Sequence, residues 1–220
     1  MNYDKEKYNR GKLKLVTQPI IYVEGKTNKI FYQQLDELSN KFIDNGGDCT
    51  TIKAKVESEP NSYGIIDHDY KEIRHEKLFP INFYSVENIS LIYISKFNHL
   101  NEMLVDYIEK HGIEKARIHL PEFIINYEEN SRRVRDYNVI LTVEKHHDQY
   151  IKYIENYILC DASFMRYKNI KKIVESYVSF IKNKYSDRIN YITELADYLP
   201  TKSIDNIFDT ETLQKLKNVI

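Results

Sequence analysis

The sequence predicts an α/β fold, a mostly parallel sheet flanked by helices, followed by a mainly helical C-terminal part. Three observations carry this. The run Pro19-Ile20-Ile21-Tyr22-Val23-Glu24 is apolar and β-branched, and it breaks at Gly25 into helical spacing. A second short apolar run, Tyr63 to Ile66, ends in Asp67-His68-Asp69. Beyond about residue 95 the apolar positions recur at helical intervals. Strands alternating with helical patterns mark parallel β-α-β construction.

Taken in order, residues 1 to 18 are polar and mostly basic, with Leu13, Leu15 and Thr17 alternating against polar neighbours. They read as a solvated arm or a short lead-in strand, or alternatively as an arm that contacts phosphates. The first strand follows and ends on Glu24. A helix is expected from Thr27 to about Ile43, with Thr27 as its N-cap and Ile30, Phe31, Leu35, Leu38 and Phe42 facing the sheet. Asn45-Gly46-Gly47-Asp48 predicts a turn, and Thr50 to Val56 a second strand. Glu57 to Ser62, containing Pro60, reads as a loop before the strand ending at Asp67. Ile81 to Ile89 is a further strand-like run that holds Glu87 near its end.

From about Ser90 the pattern is helical, with Leu100, Met103, Leu104, Tyr107 and Ile108 on one face. Residues 113 to 145 fit short strands or helix pieces. Tyr150 to Leu159 and Met165 to Tyr185 are expected helices, the latter with Ile170, Ile173, Val174, Tyr177 and Ile181 as its core stripe. Ile192 to Tyr198 and Glu211 to Val219 complete the helical half. The expected organisation is a core over 1–95 and a helical region over 96–220 that serves as a partner, dimer or nucleic-acid surface.

Composition narrows the function classes. The chain has 220 residues, 30% charged and 42% hydrophobic, with a net charge of -1. Nucleic-acid binding must therefore come from a local patch. Cys49 and Cys160 form no C-x-x-C pair, which argues against a zinc ribbon or disulfide scaffold and fits a reducing cytoplasm. No apolar run approaches the roughly 20 residues of a membrane span, and the N-terminus shows no signal-type apolar stretch. A cytoplasmic protein without membrane contact is expected.

Glu24, Asp67, Asp69 and Glu87 each fall at or just past an expected strand end. Ligands of open α/β sheets bind at the carboxyl ends of strands. Four carboxylates there would repel one another unless a cation neutralised them, and the natural occupant is one or two hard divalent ions, Mg²⁺ or Mn²⁺. On a regular strand Asp67 and Asp69 would face the same way and reach one metal. Glu24 is placed as a general acid or base, or as a ligand where two ions bind. Phosphodiester cleavage suits this set.

Val23-Glu24-Gly25-x-x-Asn28, followed by Ile65-Ile66-Asp67-His68-Asp69, resembles the TOPRIM domain, a Rossmann-like fold. The domain is shared by topoisomerases, bacterial primases, small maturation nucleases and overcoming-lysogenization-defect (OLD) nucleases. The resemblance covers residues 18 to 95. It implies that Glu24 acts as acid/base or metal ligand and that Asp67 and Asp69 bind Mg²⁺. Ser85-Val86-Glu87-Asn88 is similar to the acidic motif that follows in OLD-like and standalone defence members, and Asn28 stands where the family often has Asp. A topoisomerase would need a further domain with a nucleophilic Tyr, and a primase a zinc module. A small TOPRIM with a helical half resembles the nuclease subunits that pair with an ABC-type ATPase in PARIS-type anti-phage systems. That implies an ATPase partner, a possible homodimer and a nucleic acid substrate, with tRNA or other RNA ahead of DNA. The alternative is a non-catalytic TOPRIM-like subunit that binds an ATPase partner or nucleic acid.

Gly25-Lys26-Thr27 mimics the end of a P-loop, but Ile20 occupies the place of its first glycine, which removes ATP hydrolysis by this chain. Lys26, the basic run Arg132, Arg133 and Arg135, and the lysines Lys171 and Lys172 are the candidate nucleic-acid contacts. Arg166, Lys168, Lys182 and Lys184, interleaved with Tyr167, Tyr177 and Tyr185, either track a nucleic-acid backbone or form a solvated helix face. His146-His147-Asp148 is a weaker acid/base or metal candidate, because adjacent residues diverge in direction.

Overall fold

Strand β1 (Ile20–Glu24) is the pivot of a four-stranded sheet in a computed structural model that describes residues 18–69, 73–111, 119–128, 131–140, 165–186 and 188–220. It pairs in parallel with β2 (Phe42–Gly47) on one side and β3 (Ser62–Ile66) on the other. The short β4 (Leu78–Pro80) extends the sheet in parallel beyond β3, giving the order β2-β1-β3-β4. Ile21 and Val23 are fully buried and Tyr22 nearly so, the continuous apolar run of a parallel strand covered on both faces.

Helix α1 (Lys26–Tyr32) leads from β1 towards β2, and α2 (Cys49–Ser58) crosses from β2 to β3. Tyr22 of β1 packs with Ile52 and Val56 of α2 and with Ile66 and Leu78, so α2 covers that face. Its hydroxyl donates to Glu59 Oε2 at 2.8 Å, and Lys55 Nζ lies 4.6 Å above its ring. Asp48 caps α2 by accepting from the Thr51 N–H at 2.7 Å. Lys77 closes the other end, donating from Nζ to the Val56 and Glu59 carbonyls at 2.9 and 3.3 Å.

Gly64 is where the helix meets the sheet most closely. A Cβ there would stand 2.5 Å from Ile52 Cγ2 and 2.7 Å from Leu78 Cδ2. Gly64→Ala is expected to cost about 1–3 kcal/mol, read as a lower urea midpoint at unchanged slope.

The described residues fall into two compact units. The first holds the residues up to Asp67, Ile73–Ile81 and Leu199–Ile220; the second holds His68, Asp69 and Asn82–Tyr198. The two units therefore do not coincide with a single cut near residue 95. In the first unit the C-terminal residues are tied to the turns after α1. The Asp36 N–H donates to the Lys202 carbonyl at 2.7 Å, and Glu37 accepts from Ser203 Oγ at 2.6 Å and from the Ile204 N–H at 3.0 Å.

The second unit contains α3 (Val86–Tyr93), α4 (Asn98–His111), an antiparallel hairpin of β5 (His119–Glu128) and β6 (Ser131–Ile140), and α5 (Lys171–Tyr185). Its core gathers around Phe97, whose ring meets those of Tyr177 and Tyr191 at 5.9 and 6.0 Å. Of the expected stripe, Ile170, Ile173, Val174 and Tyr177 are buried and Ile181 is half-buried; the helix itself begins at Lys171, not Met165. Helix α6 (Thr210–Lys217) closes the chain within the first unit, capped by Asp209.

Several expectations are corrected. The first helix spans seven residues and is capped by Gly25 (φ 75°), not Thr27, which is exposed. Positive φ explains the glycine. Phe42–Gly47 is a strand, and Thr50 to Val56 is part of a helix. Ile52 and Val56 both point into the core four residues apart, and that packing outweighs their β-branched preference. Ile81 to Ile89 is a bend followed by α3, so Glu87 lies in the first turn of a helix. The second half carries a β-hairpin at 119–140 beside its helices. Residues 1–17, Tyr150 to Leu159, Cys160 and His146-His147-Asp148 lie outside the described residues. Among the described residues no helix is long and apolar enough to cross a membrane.

Candidate metal and nucleic-acid site

The strand order reverses at β1. From β1 the chain moves outward to β2, then returns across it to β3 on the other side. In such sheets the crevice beyond the carboxyl ends of the two strands flanking that reversal is where ligands bind. Here those ends carry Glu24, the last residue of β1, and Asp67, the first residue past β3. Glu24 Oε1 accepts a hydrogen bond from the Asp67 backbone N–H at 3.0 Å. The Glu24 carboxylate is therefore held against the Asp67 backbone at the switch point. Glu24 is half-buried and Asp67 is 5% exposed.

Asp67 belongs to the first compact unit and the adjacent His68 to the second. The four predicted carboxylates thus divide into Glu24 with Asp67 and Asp69 with Glu87. Asp69 does not continue a strand. Its φ of 48° puts it in the left-handed region, which Asp tolerates better than most residues, so the alternation that would align it with Asp67 does not apply. Its backbone N–H donates to the Tyr84 carbonyl at 3.1 Å. Glu87 occupies the first turn of α3, after Ser85 at the N-cap, where a carboxylate is favoured by the helix dipole. Burial, with the charges of Glu87 and Glu175, pushes the Tyr191 hydroxyl up to about 12.

Among the described residues, no three His, Cys, Asp or Glu side chains group closely enough to hold a metal ion. The pair at the switch point still fits Mg²⁺ in kind. Both donors are hard carboxylate oxygens, and Mg²⁺ characteristically takes one or two carboxylates and completes its shell with water and substrate phosphate. Asn28 is half-buried within α1.

The cationic candidates separate by environment. Lys26 begins α1 and is exposed. Arg132 and Arg133 lie on β6, in register with Tyr127 and Asn126 of β5. Lys171 and Lys172 open α5; Lys171 Nζ lies 5.8 Å from the Tyr84 ring centre, and Lys172 is exposed. Arg166 stacks 4.6 Å above Phe83.

Lys168 is the exception that composition hid. It is 1% exposed, and burial pushes its amine down to about 7. A cation on a solvated face would not titrate there, and perturbed groups concentrate at functional sites. His68 is also buried, its ring edge-on to Tyr167 at 6.3 Å. The signal for Lys168 was present only as a lysine just before an apolar helical stripe.

No protein-family model matches the chain, and no curated protein matches it either.

Proposed function

We propose that this protein is a Mg²⁺-dependent TOPRIM-type endonuclease that cleaves phosphodiester bonds in nucleic acid, tRNA or other RNA ahead of DNA. The observation that supports the reading is the meeting of Glu24 and Asp67 at the carboxyl ends of β1 and β3, the position that motif matching assigns to the catalytic acids. Asp67 and Glu24 would hold the ion, and the motif match assigns Asp69 and Glu87 to the metal set as well. A bound Mg²⁺ supplies charge neutralisation at the phosphate and a more acidic water. Glu24, oriented by the Asp67 N–H, takes or returns the proton at its carboxylate. Lys26, Lys171, Lys172, Arg132 and Arg133 draw in the phosphate backbone, since the net charge of -1 gives no general attraction. The setting we favour is the toxic effector of an ATPase-coupled anti-phage system, with an ABC-type ATPase as partner and a homodimer as a compatible state.

The test is direct. Purified protein is incubated with total tRNA, a ribosomal RNA fragment and duplex DNA, with Mg²⁺ or Mn²⁺ and with EDTA. Cleavage that requires the metal and disappears in EDTA is the expected result. Uncleaved substrates together with no heat of Mn²⁺ binding overturn the proposal.

A further inference from the structure

Asn88 is fully buried, and its side chain joins two parts of the second unit that lie far apart in sequence. Its Oδ1 accepts from Ser85 Oγ at 3.0 Å. Its Nδ2 donates to the Met165 carbonyl and to the Lys168 carbonyl, each at 2.8 Å. Both amide hydrogens are thus spent on two carbonyls of one short segment. Ser85 is itself fully buried, so the pair forms a satisfied polar knot in an apolar setting.

The same segments are stitched by backbone bonds. The Tyr84 N–H donates to the Arg166 carbonyl at 2.8 Å, and the Asp69 N–H donates to the Tyr84 carbonyl at 3.1 Å. The Tyr167 hydroxyl donates to Asn82 Oδ1, and the Tyr167 ring lies against His68. Three stretches, 68–69, 82–88 and 165–168, are therefore one hydrogen-bonded assembly. It carries Asp69, Glu87 and Lys168.

We propose that Asn88 is a positioning residue for Asp69 and Glu87, the motif acids of the second unit, clamping the Met165–Lys168 segment to the residues that carry them. The proposal rests on the nuclease reading above for its catalytic consequence, and on the hydrogen bonds alone for the clamp. An apolar side chain at 88 would fill space but leave two buried carbonyls without their donor, a costly outcome in a dry setting. Loss of groups that orient metal ligands typically costs 10- to 100-fold in affinity or activity.

The experiment compares wild type, Asn88→Ala and Tyr167→Phe in the full chain. Tyr167→Phe keeps the ring beside His68 and removes one hydroxyl, so it provides a gentler break in the same assembly. Backbone amide exchange is followed at Asp69 and Tyr84, with Ile21 to Val23 of β1 as the internal reference. Asn88→Ala is expected to speed exchange at Asp69 and Tyr84 by about tenfold or more while the β1 amides hold. Cleavage of total tRNA should lose about tenfold or more in kcat with KM within about threefold, and Mn²⁺ should bind about tenfold more weakly. Tyr167→Phe should show the same pattern at smaller amplitude. Uniform loss of protection across both units in Asn88→Ala, with Tyr167→Phe indistinguishable from wild type, overturns the clamp. Selective loss of protection with unchanged kcat and Mn²⁺ affinity overturns the catalytic role. A wild type that neither cuts nor binds Mn²⁺ overturns the nuclease reading, and the exchange result then decides the clamp by itself.

Discussion

Lys168→Met is expected to make the protein more stable at pH 7, by as much as about 5 kcal/mol, and to flatten its stability above neutral pH. The amine is buried in the folded chain and titrates at about 7, against its ordinary value of 10.5. In the unfolded chain it regains that ordinary value. Between about 7 and 10.5 the unfolded state therefore binds more protons than the folded state, so wild-type stability rises with pH across this window. Below about 7 the full cost of desolvating the charge is present, and above 10.5 it is gone. Methionine has a similar length and no charge to desolvate, so it removes the cost at every pH. Urea unfolding of both proteins from pH 6.5 to 9.5 measures this. The gap should be widest near neutrality and narrow by about 1.4 kcal/mol for each step of one pH unit. A variant less stable than wild type at pH 7 would show that bonds made by the amine outweigh its desolvation. A typical domain has only about 5–15 kcal/mol of stability, so the desolvation of one lysine is a large share of it.

The part of the fold that positions the candidate site is legible because its signals are local. Ile20 to Val23 and Tyr63 to Ile66 are short apolar runs bounded by Pro19 or Gly25 and by acids, and both became parallel neighbours with Glu24 and Asp67 at their ends. What could not be read depends on partners distant in sequence. Asn45-Gly46-Gly47 looks like a turn. It ends an edge strand, where a Cβ at Gly46 would collide with the side chain of Ile52 and stand 3.0 Å from Tyr22 Cβ, so glycine is needed there. The burial of Lys168 depends on its fold context, including Asn88, 80 residues earlier. Glu87 was expected at a strand end because Ile81 to Ile89 is apolar. The chain instead bends at 82–85, with the Tyr84 N–H bonded to the Arg166 carbonyl, and starts a helix capped at Ser85.

Glu24→Gln is expected to lower metal-dependent cleavage by about 10²–10⁴-fold while the melting temperature stays within a few degrees of wild type. Glutamine has the same shape, and its carbonyl oxygen can still accept the Asp67 N–H, now made by Glu24 Oε1 at 3.0 Å. The substitution therefore keeps the contact that joins β1 to the residue after β3 and removes only the negative charge and the ability to take a proton. Glu24→Ala removes both. If the role of Glu24 is chemical, the two variants lose activity alike, and Mn²⁺ binding weakens in each. If its role is to hold Asp67 in place, Glu24→Gln cuts within about threefold of wild type and only Glu24→Ala fails. That second outcome would remove Glu24 from the catalytic set and leave Asp67 as the acid at the switch point. The comparison is informative because Glu24 is half-buried at a strand end, where loss of one charge leaves the core of Ile21, Val23 and Ile65 untouched.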